Sequence, residues 1–248
     1  MRLLVLGGTS EARALAGVLV DEPGIECVSS LAGRVREPRL PAGEVRVGGF
    51  GGVDGLATWL RDNGVDAVVD ATHPFAARIT ANAAAATARV GTPLLVLRRP
   101  AWVPVAGDRW HPVPDLATAA RTVPTLGERI LLTIGRQGVD AFADAPGRYL
   151  IRAIDPPEGA LPAETELLLD RGPFTVESEI ALLRDHRIEV VVTKNSGGPL
   201  TEAKLVAARE SGIPVVVVER PALPAGVPVV GAVTEASAWV HRVGAAQQ

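Results

Sequence analysis

Cysteine is almost absent: the 248-residue chain has one, Cys27. An internal disulfide framework and a multi-cysteine zinc site are therefore excluded, and no metal site is expected. Cys27 lies in the apolar context IECVSS and reads as an inert strand residue. A basic excess is also missing: 25 Lys and Arg stand against 28 Asp and Glu, a formal net charge of −3. That leaves no electrostatic footprint for nucleic acid. No apolar run approaches the ~20 residues that a membrane span requires. The start of the chain reads as a core strand rather than a secretory signal. These absences point to a cytoplasmic protein without a nucleic-acid or membrane partner. Aromatic residues make up only 4% of the chain, and no long apolar surface helix stands out, which favours a monomer. What the chain does have is 47% hydrophobic residues against 21% charged, the balance of a packed globular protein.

The most informative stretch is Met1 to Ala12, MRLLVLGGTSEA. Leu3 to Leu6 is a short continuous apolar run. Gly7 and Gly8 break it, Thr9 and Ser10 follow, and helical spacing resumes from Glu11. This is the pattern of a buried parallel strand, a tight glycine turn and a helix. Such a turn aims backbone N–H groups and the positive end of the helix dipole at one point, where a phosphate or carboxylate is the natural guest. The spacing differs from the G-x-G-x-x-G dinucleotide fingerprint.

Further strands are expected at Ile25–Ser30, Glu44–Gly49, Asp66–Ala71 and Thr92–Leu97, with helices over Asp54–Asn63 and Ala76–Val90. The second strand runs into SSLAGR, with Ser30, Ala32, Gly33 and Arg34 and no carboxylate until Glu37. An acidic residue there would hold a ribose 2′-OH, whereas an arginine accommodates a 2′-phosphate, so the pattern favours NADPH over NADH. The fourth strand runs directly into Thr72, His73, Pro74 and Phe75, and Pro74 suits the first turn of the next helix. His73 then sits at the carboxyl edge of the sheet, where open α/β sheets bind ligands.

Proline-punctuated sequence from Arg98 to Pro114 marks a crossover. Beyond it a helix is expected at Asp115–Thr122. Arg129–Ile134 reads as a strand, ended by Gly135, Arg136, Gln137 and Gly138 and followed by a helix. Strands follow at Tyr149–Ile154 and Glu166–Leu169, then a helix carrying Val176, Ile180 and Leu183. Glu189–Thr193 is a strand ended by Lys194, Asn195, Ser196 and Gly197. After it come a helix at Thr201–Ser211, a strand at Pro214–Val218 and a last helix at Glu235–Val243 capped by Thr234.

An internal repeat organises the whole. Val69–Ala101 lies over Val190–Ala222 without a gap. Thr72 meets Thr193, Thr80 meets Thr201, Gly91 meets Gly212, Pro93 meets Pro214, and Arg99-Pro100-Ala101 meets Arg220-Pro221-Ala222. His73 and Lys194 become equivalents, each one residue past a strand end.

Five short motifs in this order, GGTSEA, SLAGR, DATHPFA, IGRQG and TKNSGG, span the chain. In them the chain resembles the precorrin-6A (precorrin-6x) reductase family of cobalamin biosynthesis. The resemblance implies an α/β fold of two Rossmann-like three-layer domains with parallel sheets and a ligand cleft between them. Residues 1–100 would form the NADP-binding domain and 101–248 the substrate-binding domain, a strand exchange between the halves being left open. It implies hydride transfer from NADPH to C19 of the macrocycle and protonation at C18. Gly7, Gly8, Thr9, Ser10 and Glu11 would carry the pyrophosphate, Ser30, Ala32, Gly33 and Arg34 the 2′-phosphate, and Thr72, His73, Pro74 and Phe75 the nicotinamide half. Glu11 is expected to cap the helix start or meet ribose rather than point at phosphate. The tetrapyrrole is a polycarboxylate, and Arg136, Gln137, Arg152, Lys194, Asn195, Ser196 and Gly197 are the cations and donors near strand ends that suit it. His73, with an ordinary pKa near ~6.5, and Lys194 are the candidates for catalysis; bound water and the substrate's own carboxylic acids remain rivals for the proton. An NAD(P)H-dependent reductase of a smaller metabolite and a non-catalytic NADPH-binding sensor are the competing readings.

Overall fold

In a computed structural model, residues 1–33 and 39–246 are described. The chain forms two compact units. One comprises Met1–Pro100 together with the chain from Pro221 onward; the other is Ala101–Arg220.

The first unit opens with β1 (Arg2–Leu6), α1 (Ser10–Leu19), β2 (Glu26–Leu31), β3 (Glu44–Val47), α2 (Gly52–Asp62), β4 (Ala67–Asp70), α3 (Ala77–Val90) and β5 (Leu94–Leu97). The second holds β6 (Trp110–Val113), α4 (Leu116–Thr122), β7 (Arg129–Thr133), β8 (Arg148–Ala153), β9 (Glu164–Leu169), α5 (Val176–Asp185), β10 (Val190–Lys194), α6 (Ala203–Glu210) and β11 (Val215–Val218). The chain then returns to the first unit as β12 (Val229–Val230) and α7 (Val233–Ala245).

Each unit has one six-stranded sheet, ordered β12-β5-β4-β1-β2-β3 in the first and β6-β11-β10-β7-β8-β9 in the second. Every pairing in both is parallel. Read in the same direction, the second sheet repeats the first position by position: β7 stands where β1 does, and β10 and β11 where β4 and β5 do, as the sequence repeat requires. The order reverses beside β1, the switch point at which doubly wound sheets bind ligands.

Period-two alternation builds the layers. Leu3 and Val5 of β1 pack on one face with Leu15 and Leu19 of α1 and Val240 of α7. Leu4 and Leu6 pack on the other with Leu56 and Leu60 of α2 and Ala83 and Ala86 of α3. In the second unit Leu131, Leu150, Val191 and Val217 meet Leu183 of α5 and Leu205 of α6. Each fully buried leucine contributes roughly 2 kcal/mol of transfer free energy. Among the described residues, no helix is long and apolar enough to cross a membrane.

Several local expectations change. Residues from Pro221 onward join the first unit, because Val229 and Val230 pair with Val96 and Leu97 on the open edge of β5, and α7 covers α1. The proline-rich crossover contains β6, tolerated because Pro112 sits on an edge strand. After IGRQG there is only a single 3-10 turn, Val139–Phe142. The last helix starts at Val233 with Ala232 as its N-cap, and Glu235 reaches back so that its carboxylate accepts from Gly231 N–H (3.1 Å) and Ala232 N–H (2.9 Å); Thr234 is inside the helix. Helix α3 begins three residues after Pro74, which lies in a turn closed by Ala76 N–H on the His73 carbonyl at 2.7 Å.

Candidate functional site

The carboxyl edge of the first sheet gathers three of the sequence motifs. The glycine turn leaves β1, and Gly7 N–H donates to the Ser30 carbonyl at the end of β2 (2.9 Å). Gly8 is exposed with φ +115°, a conformation that favours glycine, and a Cβ there would meet nothing within 4 Å among the described residues. The space over the turn is therefore open to a ligand that approaches the backbone closely. Thr9 caps α1, accepting from Ala12 N–H at 3.1 Å and donating its hydroxyl proton to the Ala71 carbonyl at 2.7 Å. It thereby ties the GGTSEA turn to the DATHPFA turn. Ser10 donates its hydroxyl to Glu11 Oε2 at 3.1 Å. Both hydroxyl protons are thus engaged within the protein, and the donors that the turn can offer a phosphate are backbone N–H groups at the helix start.

Glu11 does not stand alone at that start. Arg99 Nη1 lies 2.7 Å from its Oε2, the two side chains being 15% and 20% exposed. Burial pushes the Glu11 carboxyl up, but its own backbone N–H, the Arg99 guanidinium and the Ser10 hydroxyl together hold it below the usual carboxylate range.

At the end of β4, Asp70 is buried; its Oδ1 accepts from Thr72 N–H (3.0 Å) and the Thr72 hydroxyl (2.6 Å), while Oδ2 is buried without a hydrogen-bond partner among the described residues. His73 is half-buried, its ring 5.9 Å from that of Phe75, and its Nδ1 accepts from Phe75 N–H at 3.2 Å. With Nδ1 used as an acceptor, the neutral ring carries its proton on Nε2. At the end of β2, Arg46 of β3 donates to Ser30 Oγ (3.3 Å), Gly48 O (2.6 Å) and Gly49 O (2.8 Å), and lies 3.8 Å from the centroid of Phe50. Gly33 takes φ +71°, packed under Val47. Ala32 is exposed between Leu31 and that glycine, and Arg34 lies outside the described residues. Burial pushes the Cys27 thiol up to about 11, so it stays protonated.

The second unit brings IGRQG and TKNSGG together at its own carboxyl edge. Lys194 ends β10, and its ammonium donates to the carbonyls of Ile134 (2.7 Å) and Gln137 (3.4 Å). Burial pushes its pKa down. Arg136, half-buried, reaches exposed Glu158 at 3.0 Å, and Gln137 is exposed. Asn195 is held through both amide atoms by Trp102: Oδ1 accepts from its N–H (2.9 Å) and Nδ2 donates to its carbonyl (3.1 Å). Trp102 Nε1–H donates to Gly198 O at 3.0 Å. Arg220 donates to the carbonyls of Asn195 (2.7 Å) and Ser196 (3.0 Å), which leaves Gly197 and Gly198 at positive φ to complete the turn.

Arg152 lies at the end of β8, as its spacing implied, but its guanidinium is directed inward. It pairs with Glu179 of α5 at 2.7 Å, the side chains 6% and 1% exposed, and stacks 3.9 Å from the centroid of Phe174. Lys204 of α6 completes this cluster, buried, 4.8 Å from the Trp102 ring and donating to the Thr201 carbonyl. Burial, and then the nearby Arg152, push Lys204 down to about 7, against the pull of Glu179.

Sequence reasoning missed Asp70, Arg46, Arg99, Trp102 and Arg220. The repeat alignment did pair Arg99 with Arg220, and that was the available signal: an arginine two residues past an equivalent strand in each half.

Two doubly wound sheets, one with an open glycine turn at the start of its first helix, define a Rossmann-type α/β protein. Family comparison resolves which one: the family model Precorrin-6x reductase CbiJ/CobK matches residues 2–241. The chain belongs to that family, and with it is a precorrin reductase of cobalamin biosynthesis. It is 63% identical to the precorrin-6A reductase of Rhodococcus erythropolis over 96% of this chain and 97% of that one. It is 52% identical to the precorrin-6A reductase of Mycobacterium tuberculosis, with the same coverage of both chains. A solved structure, "CobK precorrin-6A reductase", superposes with a TM-score of 0.91 at 47% identity, over 98% of this chain and 97% of that one.

Proposed function

We propose that this chain reduces precorrin-6A to its dihydro product with NADPH, by hydride transfer to C19 and protonation at C18. The observation that carries the reading is the open turn at Gly8, set at the switch point of a six-stranded parallel sheet in a member of this family. The residues present fit a dinucleotide: the turn needs no side chain to move aside, and its donors are backbone N–H groups suited to a diphosphate. When bound, NADPH supplies the hydride.

The chain's own residues orient and exclude. Within the turn Gly7, Gly8, Thr9, Ser10 and Glu11, the N–H groups between Gly7, whose own is given to Ser30, and Glu11 take the diphosphate. Ser30, Ala32 and Gly33, with Arg34, take the 2′-phosphate, and Arg46 holds their strand end in place. Thr72, Pro74 and Phe75 line the nicotinamide half. His73 supplies the C18 proton from Nε2 as the imidazolium and returns to the neutral ring whose Nδ1 accepts from Phe75 N–H, a contact that opens while the ring is protonated. In the second unit Arg136, Gln137, Lys194, Asn195, Ser196 and Gly197 take carboxylates and carbonyls of the tetrapyrrole. Lys194 holds the Arg136 turn, and Arg152 acts through its buried partners. The relatives' name, precorrin-6A reductase, supports a metal-free ring.

The test is anaerobic. With precorrin-6A and NADPH, loss of nicotinamide absorbance should accompany a shift of the macrocycle's visible spectrum. NADH and cobalt-loaded substrate should be used more slowly. NADPH binding with neither spectrum changing overturns the reductase reading and favours the sensor.

A further inference from the structure

The diphosphate turn contains a residue of the wrong sign. Glu11 is the second residue of α1, and a carboxylate there occupies the same partial positive charge that would receive a phosphate. Two negative ligands on one helix start repel each other. The sequence does not resolve this conflict, but the structure holds the answer in Arg99. That residue lies two positions beyond β5, and β5 is separated from β1 by β4. Its guanidinium therefore reaches across the sheet edge, over about two strand spacings, to end 2.7 Å from Glu11 Oε2. The pair is mostly shielded, at 15% and 20% exposure, and so is weakly screened by salt.

The second unit carries a counterpart. Arg220 occupies the repeat position of Arg99, and it too reaches a turn at the carboxyl edge of its own sheet. There it meets two carbonyls; in the first unit it meets a carboxylate. The shared position argues that an arginine after this strand steadies a ligand turn. The difference in partner argues that in the first unit it also cancels a charge.

We propose that Arg99 is a positioning residue for the dinucleotide: it fixes and neutralises Glu11, whose carboxylate meets its own backbone N–H at the helix start, so that the turn beside it accepts a diphosphate. This rests on the NADPH reading above. Arg99 need touch no part of the ligand for this. Its loss would leave the Glu11 carboxylate uncompensated beside the phosphates and free to move over the turn, raising the dissociation constant.

The experiment is a double-mutant cycle read by calorimetric titration of the whole protein with NADP⁺. Arg99→Met should weaken binding about tenfold or more, the equivalent of one like-charge contact in a half-buried site. Glu11→Gln alone should bind at least as tightly as wild type. Glu11→Gln in the Arg99→Met background should recover affinity to within about threefold of wild type. That rescue separates charge from structure, because the double variant lacks the ion pair just as the single one does. A double variant no tighter than Arg99→Met overturns the proposal, as does an unaltered Arg99→Met. If Arg99→Met does not fold, Glu11→Gln decides: weaker binding than wild type overturns the proposal, and equal or tighter binding upholds it. A wild-type protein that binds no NADP⁺ defeats the cofactor reading and this inference with it; wild-type binding with flat variants defeats this inference alone.

Discussion

At the carboxyl edge of the first sheet the ligand turn is held by short-range and largely neutral contacts. Thr9 bridges Ala71 and Ala12, Gly7 bonds Ser30, and an ion pair, Arg99 with Glu11, sits to the side. At the same edge of the second sheet cations do the holding. Lys194 gathers the carbonyls of Ile134 and Gln137, Arg220 those of Asn195 and Ser196, and Arg152 and Lys204 are buried around Glu179. One strand order thus supports two electrostatic designs. The first leaves the backbone N–H groups between Gly7 and Glu11 to meet an anion. The second has already engaged much of its positive charge, so its ligand must be met by what remains at the rim, including Arg136 and the Asn195–Gly197 turn.

The sharpest way to break this contrast is Arg152→Met. It leaves Glu179 buried without its direct ion-pair partner, with Lys204 remaining nearby, and denaturant unfolding should show a loss of about 3 kcal/mol. Arg99→Met, whose pair is partly exposed, should cost well under half as much; equal costs would erase the distinction. Next is Thr9→Val in the first unit, which strands the Ala71 carbonyl and uncaps α1, for about 1–2 kcal/mol by the same measurement. Lys194→Met should cost about 1 kcal/mol of stability and raise KM for the tetrapyrrole severalfold with a smaller change in kcat, because it loosens the Arg136 turn without removing a reacting group.

The most pointed effect is in pH. Lys204 is pushed down to about 7 when folded, below the unfolded value of about 10.4. Between those values the unfolded chain binds more protons, so this group makes stability rise with pH across the window, and below about 7 the full cost of the buried cation is present. Lys204→Met removes that slope. Its melting temperature relative to wild type should be highest near pH 6 and fall toward pH 10, by a few degrees; a difference independent of pH would show that Lys204 is ordinary.

The sequence made the sheets legible because Leu3–Leu6, Val68–Val69, Val190–Val192 and Val215–Val218 are apolar runs bounded by glycine and proline, and local patterning is enough for buried parallel strands. It made the turns legible for the same reason. It did not reveal β12, two residues long, nor β6, which contains Pro112, since neither has a pattern of its own and both are defined by the neighbour they join. Nor could it reveal pairs whose partners lie far apart in the chain, such as Glu11 with Arg99 or Arg152 with Glu179. Lys194 was placed correctly at a strand end, but the carbonyls it meets belong to a turn some sixty residues earlier in the chain, and only the fold brings them together.

The return of the chain as β12 and α7 has a consequence for synthesis. The second unit is one continuous segment, Ala101–Arg220, inserted within the first. As the chain leaves the ribosome, the unit that begins second has all of its strands first. The glycine-turn unit meanwhile waits with the edge of β5 unpaired and Leu15 and Leu19 uncovered until residues 229–245 emerge. A nascent chain halted after Arg220 would therefore carry a finished insert flanked by an unfinished host, and its aggregation hazard would lie at the amino-terminal end, in the part made earliest.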